Sequence, residues 1–235
     1  MKLLVWNIRQ GGGSRHPRIV ESILSHRPDV IALIEFVPGR VASLAGSLRS
    51  AGFDHQLCTA RKGLNYAVCV FSKTSIHTLP SGIPTLDDSG LYLEVNVRAY
   101  QFKLCVLHAP AQVPRIRAFL DAVVQAAAKN VLDPVLFVGD FHTGVGPADG
   151  PMRNFGDVAR FRAILATGFT DAWRHICGAR REYTYTSRET GKAYRIDHAL
   201  ASPALLPRIR DCRYSHRERD AGVSDHSLLL VEIEA

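Results

Sequence analysis

No stretch of this chain approaches the ~20 consecutive apolar residues that a bilayer-spanning helix needs. The apolar opening from Met1 to Trp6 gives way at once to Asn7, Arg9 and Gln10, so no signal peptide is expected. CxxC pairs are missing too. The five cysteines, Cys58, Cys69, Cys105, Cys177 and Cys212, are scattered and mostly set in apolar runs such as Val68-Cys69-Val70 and Leu104-Cys105-Val106. That pattern is expected of reduced core thiols in a cytosolic protein and excludes a cysteine-built zinc or redox centre. Internal repeats, linkers and low-complexity tracts are absent, which leaves no place to divide the 235 residues. The expectation is one soluble, monomeric, cytoplasmic domain over residues 1–235 without a membrane anchor.

What is present is an alternation of short apolar runs with helical patterns, which specifies an α/β arrangement. Strands are expected at 3–6, 30–34, near Gln56, and at 67–71, 91–97, 102–107, 135–138, 183–186, 195–200, 208–212 and 227–232. A first helix is expected from an N-cap at Ser14 to about Arg27, with Ile19, Val20, Ile23 and Leu24 on one face. Further helices are expected at 41–50, after Pro114, where Ile116, Phe119, Leu120, Val123, Val124 and Ala127 share a face, and at 157–166. Residues 144–156, rich in Gly and Pro, read as a long loop.

Charge adds a direction. With 29 Lys+Arg against 22 Asp+Glu the net charge is +7, which attracts a polyanion at long range and does so less as salt rises. Solubility alone is the competing reading. The densest basic stretch, Arg208, Arg210, Arg213, Arg217 and Arg219, reads equally as a surface tracking a nucleic-acid backbone or as a face salt-bridged to Glu218 and Asp220. Trp173, Tyr183 and Tyr185 read as core or strand residues ahead of base-stacking ones.

Five apolar strands end in a group that binds metal or phosphate: Asn7, Glu35, His108, Asp140 and Asp197. A sixth cluster, Ser224-Asp225-His226, precedes the last strand. Taken singly, such residues serve most often as turn formers or caps. Ligand sites of open sheets lie beyond strand ends, however, so six such groups can converge on one oxygen-rich pocket. Hard oxygen donors suit Mg²⁺, with Mn²⁺ as the alternative.

The motifs Trp6-Asn7-Ile8, Ile34-Glu35, Leu107-His108-Ala109-Pro110, Gly139-Asp140-Phe141, Arg195-Ile196-Asp197-His198 and Ser224-Asp225-His226 resemble, in order and spacing, the endonuclease/exonuclease/phosphatase superfamily that contains exonuclease III and deoxyribonuclease I. The resemblance covers residues 2–234; Trp6 to Gly13, Asp171 to Arg174 and Cys212 to His216 are similar to a bacterial branch of it. It implies a four-layer α/β/β/α sandwich with two mixed β-sheets. It implies a metal site of Glu35, Asn7 and Asp225, and phosphate contacts from Asn7, His108, His142 and His226. It also implies that Asp197 holds His226, which acts as base or stabilises charge on the phosphorane. Asp140 would orient or deprotonate the attacking water, and His108 would donate to phosphate or the leaving group. The implied activity is divalent-metal-dependent phosphodiester hydrolysis on a nucleic acid, DNA first.

One position departs from the family pattern: His142 follows Gly139-Asp140-Phe141 where the superfamily has Asn. Imidazole still donates one hydrogen bond but is bulkier and titratable, so altered pH dependence, altered metal choice and impaired turnover all stay open. The competing functions are a phosphatase acting on a small phosphorylated or phospholipid substrate, and a catalytically weakened nucleic-acid-binding member. His198 reads as structural, and His16, His26, His55, His77, His175 and His216 as surface or core residues.

Overall fold

A computed structural model describes residues 1–37, 42–59, 66–151 and 155–234. In chain order the elements are β1 (Lys2–Asn7), α1 (His16–Ser25), β2 (Val30–Phe36), α2 (Ala42–Ser50), β3 (His55–Cys58), β4 (Ala67–Ser72), β5 (His77–Leu79) and α3 (Pro84–Asp87). There follow β6 (Tyr92–Val97), β7 (Phe102–His108), α4 (Arg115–Asn130), β8 (Val135–Asp140), α5 (Val158–Ala166), β9 (Thr170–Asp171) and α6 (Ala172–Cys177). The chain closes with β10 (Tyr185–Thr186), β11 (Ala193–Tyr194), β12 (Asp197–Ala201), β13 (Ile209–Ser215), α7 (Arg217–Asp220) and β14 (Leu228–Ile233).

Side chains on a strand alternate between faces, and here both faces are apolar, so each main sheet must be covered twice. In β1, Leu3 and Val5 enter a central core with Val95, Leu104, Leu136 and Val138 of the other sheet. Leu4 and Trp6 point the other way, onto Ile19 and Ile23 of α1 and Leu44 and Leu48 of α2. In β8, Leu136 and Val138 face the central core while Val135 and Phe137 pack on Phe119, Leu120 and Val123 of α4 and on Phe161 of α5. Helices, sheet, sheet and helices therefore stack as the expected four layers.

The two six-stranded sheets have orders β13-β14-β1-β2-β4-β3 and β5-β6-β7-β8-β12-β9. Each has one parallel pair at its centre, β1 with β2 and β7 with β8, and antiparallel strands on both sides. A parallel pair needs a crossover, which α1 and α4 provide. As a result Asn7 and Glu35 leave the first sheet at one end of its parallel pair, and His108 and Asp140 do the same in the second. β14 and β12 run antiparallel to these pairs, so their starts, His226 and Asp197, arrive at the same ends; Asp197 lies opposite Asp140 in register.

Several local expectations are corrected. Ser14 does not cap the first helix: residues 13–15 form a 3₁₀ turn, and α1 begins at His16 with Pro17 in its first turn, where the missing N–H costs nothing. Asp157, by contrast, does cap α5, accepting from the Arg160 N–H at 3.2 Å. Asp197 begins its strand instead of ending it. The cysteines are not all reduced thiols: Cys58 and Cys69 are cross-strand partners of β3 and β4, their Cα atoms 4.2 Å apart, and are joined by a disulfide, whereas Cys105, Cys177 and Cys212 are free. Val41 and residues 152–154 of the expected helix and loop lie outside the described residues.

The basic stretch is a paired face. Arg208 sits in a 3₁₀ turn, not on a strand face with Arg210, and donates to the carbonyls of Glu234 and Tyr100. Arg210 pairs with Glu234, Arg213 with Asp211 and Glu232, Arg217 with Glu218 and Arg219 with Asp220. No helix among the described residues is long and apolar enough to cross a membrane.

Candidate active site

Backbone geometry aims the strand-end side chains. The β2–β4 pairing slips between Leu33 and Phe36, and Glu35 within that irregularity takes φ 58°. A positive φ costs a non-glycine residue free energy and redirects its side chain, here out of the sheet toward the strand ends. Gly139 does the equivalent for β8. Its φ is 138°, and a Cβ built on it would stand 1.9 Å from the Leu107 carbonyl oxygen of β7, so only glycine lets the two strands close immediately before Asp140.

The resulting contacts run from one sheet to the other. Asn7, fully buried, donates through Nδ2 to Glu35 Oε1 at 3.1 Å and to Asp140 Oδ2 at 3.2 Å. Glu35 Oε2 also accepts from the Gln10 N–H at 2.7 Å. Asp140 Oδ2 lies 3.4 Å from His142 Nε2 and 3.7 Å from His226 Nε2, while its Oδ1 accepts from the His142 backbone N–H at 3.0 Å. His226 Nδ1 faces Asp197 Oδ2 at 3.0 Å and Oδ1 at 3.2 Å. His108 Nε2 stands 3.9 Å from Glu35 Oε1, and its ring is 5.4 Å from that of His142. Asp225 is reached by Arg9, whose Nε is 3.3 Å from Oδ2, and Arg9 in turn donates its backbone N–H to Asn7 Oδ1 at 3.0 Å.

Electrostatics divides these groups into charged and neutral. Burial opposes charge on His226, but Asp197, Asp140 and Asp225 outweigh it and lift the imidazole to about 10, so the ring is a cation at neutral pH. Burial likewise works against the Asp140 carboxylate, yet His142, His226 and His108 hold its pKa below the usual value. In His108 burial prevails over Asp140 and Glu35, lowering the pKa and favouring the neutral ring.

A second set of residues steadies the Asp197–His226 dyad, and few of them stand out in the sequence. Tyr214 donates through its hydroxyl to the Asp197 carbonyl at 2.7 Å, and Arg195 Nη1 meets the same hydroxyl at 3.4 Å. Arg195 is fully buried and held by Asp149 at 2.7 Å and Asp171 at 2.6 Å. Thr184 Oγ1 accepts from the Ile196 and Asp197 N–H groups at 3.1 and 3.3 Å. Trp6 Nε1 donates to the His226 carbonyl at 3.0 Å, and the Tyr185 ring lies over the His226 ring at 5.0 Å. The one available signal was a string of polar and aromatic residues flanking Asp197.

Two triplets of side chains among the described residues bring metal-ligating atoms within 4.8 Å of one another: His108, Asp140 and His142, and Asp140, Asp197 and His226. The site thus has an acidic and histidine cluster able to hold a metal ion. Glu35 joins it through Asn7, and Asp225 stands beside it on the Arg9 guanidinium. His198 is buried, with Nε2 2.8 Å from the Thr143 carbonyl, and Trp173 is core, as expected. His16, His26 and His216 hold structural contacts to the Gly11 carbonyl, Glu218 and Glu182.

Known proteins share this fold. Two curated exodeoxyribonucleases of Streptococcus pneumoniae, from strains TIGR4 and R6, are 32% identical over 118 residues, which cover 43% of this chain and 42% of each relative. The match thus spans under half the length of those relatives. An AP endonuclease from Archaeoglobus fulgidus superposes with a TM-score of 0.85 at 19% identity, and a 3′ phosphatase from Neisseria bound to a product DNA hairpin with 0.82 at 20%. A 3′-5′ exonuclease from Neisseria meningitidis gives 0.80 at 20%; all three cover 100% of both chains. At such identities these structures establish the fold. The Endonuclease/Exonuclease/phosphatase family itself matches residues 4–226, from within β1 to the histidine of the Asp197 dyad. Since that span takes in every strand end that feeds the site, the chain belongs to the endonuclease/exonuclease/phosphatase family.

Proposed function

We propose that this protein is a divalent-metal-dependent phosphodiesterase that hydrolyses the DNA backbone by attack of water. The observation that carries the reading is the unbroken run of contacts from Glu35 through Asn7, Asp140 and His226 to Asp197, which joins two carboxylates across one amide and sets an imidazolium between Asp140 and a third carboxylate. Carboxylates converging on one site suit a divalent cation. Glu35, with Asn7 and Asp225, would hold Mg²⁺, with Mn²⁺ as substitute, and hard oxygen donors fit it. When bound, the ion neutralises charge that develops on the phosphate during in-line displacement.

The remaining work falls to side chains. His226, kept cationic by Asp197, donates through Nε2 to a phosphate oxygen as negative charge accumulates there. Asp140 remains an anion and so accepts a proton or hydrogen bond from the attacking water, whose orientation it fixes. Asn7 contacts phosphate oxygens, His142 does so through Nε2 when its ring carries a second proton, and the neutral His108 donates to an oxygen of the phosphate or leaving group. DNA as substrate is supported by the net charge of +7 and by the Neisseria relative solved with a DNA hairpin. A monomeric, cytoplasmic enzyme belongs to the same reading. The Cys58–Cys69 bridge withdraws the cysteine pattern as support for that location.

The test is cleavage of plasmid, abasic duplex, single-stranded DNA, RNA and small phosphomonoesters with Mg²⁺. Glu35→Gln is expected to slow DNA cleavage about 10³-fold, the rate equivalent of several kcal/mol of lost charge stabilisation. His226→Ala is expected to cost about 10²–10⁴-fold. Turnover of phosphomonoesters alone would move the reading to the phosphatase alternative. DNA binding without turnover on any substrate would move it to the weakened binder.

A further inference from the structure

The protonation of one imidazole in the site is dictated by the backbone. His142 Nδ1 lies 2.6 Å from the Ala109 carbonyl oxygen. A carbonyl only accepts, so Nδ1 carries hydrogen, and in the neutral ring Nε2 is a bare lone pair. That lone pair stands 3.4 Å from Asp140 Oδ2. Two electron-rich atoms so placed repel unless a cation lies between them, and the cation is either a proton or a metal ion.

Three further observations favour the metal. Bonds of about 2.1 Å to nitrogen and oxygen, arranged tetrahedrally, put neighbouring ligand atoms about 3.4 Å apart, which is the separation found. A third donor is at hand: His108 also offers a ring nitrogen within 4.8 Å of the other two ligand atoms. The hydrogen bond from His142 to Ala109 is also the outer contact that metal-bound histidines use to fix tautomer and ring orientation. Asp140 is braced in the same way, by Asn7 Nδ2 at 3.2 Å and the His142 N–H at 3.0 Å.

We propose that His108, Asp140 and His142 form a second metal site, distinct from the one at Glu35, which takes a divalent transition ion that prefers imidazole, of the Zn²⁺ and Co²⁺ class. Two nitrogens and one oxygen are a poor set for Mg²⁺ and a good one for such ions. Three protein ligands leave an open coordination position facing the cleft. The inference stands on these three side chains, whose direct contacts to phosphate and water in the proposed reaction belong to the protein without this second ion, and it does not require that the protein cleave DNA.

The experiment is a Co²⁺ titration of the full chain, followed by visible absorption, with Zn²⁺ competition, on wild type, His142→Asn and Glu35→Gln. Asparagine tolerates the positive φ of 51° at position 142, so that variant should fold; its melting curve checks this. Wild type is expected to show Co²⁺ ligand-field bands that Zn²⁺ abolishes. His142→Asn should weaken Zn²⁺ at least about 100-fold, the upper end of what losing even an outer-shell partner costs, and Glu35→Gln should leave the bands in place. Wild type without Co²⁺ bands, or bands and affinity unchanged in His142→Asn, would overturn the site and leave a protonated His142 paired with Asp140. Bands lost only in Glu35→Gln would overturn it by placing the ion at Glu35. Loss of Mg²⁺-dependent cleavage in Glu35→Gln is read separately and bears on the proposed function alone.

Discussion

Gly139 is the smallest residue in the site and the one whose replacement has the least room. A methyl group there would meet the Leu107 carbonyl at 1.9 Å, and the residue would also have to hold a φ of 138°. Gly139→Ala is expected to lose about 1–3 kcal/mol from overpacking, with roughly 1–2 kcal/mol more from the left-handed backbone. Urea denaturation checks this, and a shift below half a kcal/mol would show that the strands can part. The residues that meet at the strand ends were legible in the sequence because a polar group closing an apolar strand is conspicuous: Asn7, Glu35, His108 and Asp140 all stand there. Arg195 and Tyr214 were not, since an arginine is ordinarily exposed and a tyrosine in a strand looks like any core residue. Only the spatial neighbours Asp149 and Asp171, 46 and 24 positions from Arg195 along the chain, explain its burial.

Those ion pairs tie the short β9 and α6, and the loop after β8, to the start of β12. Asp171 closes the short β9 and caps α6 through the Arg174 N–H at 3.0 Å, Arg195 leads into β12, and Asp149 lies in the loop between β8 and α5. Arg195→Met takes the buried guanidinium from two carboxylates, leaving Asp149 to Arg174 and Asp171 to His198, and is expected to cost up to about 3–5 kcal/mol, again measurable by urea denaturation. The same network fixes a pH dependence. Burial pushes the Asp171 carboxyl up, but Arg195 and His198 override it and hold its folded pKa well below the ordinary 3.8; Asp149 shifts in the same direction. A depressed folded pKa means that the stabilisation is fully present above the unfolded value and is lost as pH falls through the folded one. Stability should therefore decline below about pH 4, and in Arg195→Met that acid dependence should shrink, by thermal melts across pH 2–7. Long elements such as α4 and β7 followed from periodicity alone. β9, β11, α6 and α7 did not, because two to six residues carry too little pattern to outweigh loop propensity.

The molecule as a whole divides its chemistry evenly between two sheets. Asn7, Glu35 and His226 belong to one, and His108, Asp140 and Asp197 to the other, and the links between them are few: Asn7 to Asp140, His226 to Asp197, His108 beside Glu35. Apart from these, from His226 beside Asp140 and from Tyr214 to the Asp197 carbonyl, the boundary is lined mainly by aliphatic side chains, whose packing tolerates sliding far better than hydrogen bonds of about 3 Å do. Catalysis should consequently report interlayer slip. As denaturant rises, turnover ought to fade while far-ultraviolet ellipticity is still native, because a shift of one ångström that the greasy seam absorbs without melting is enough to pull nucleophile and acid out of line.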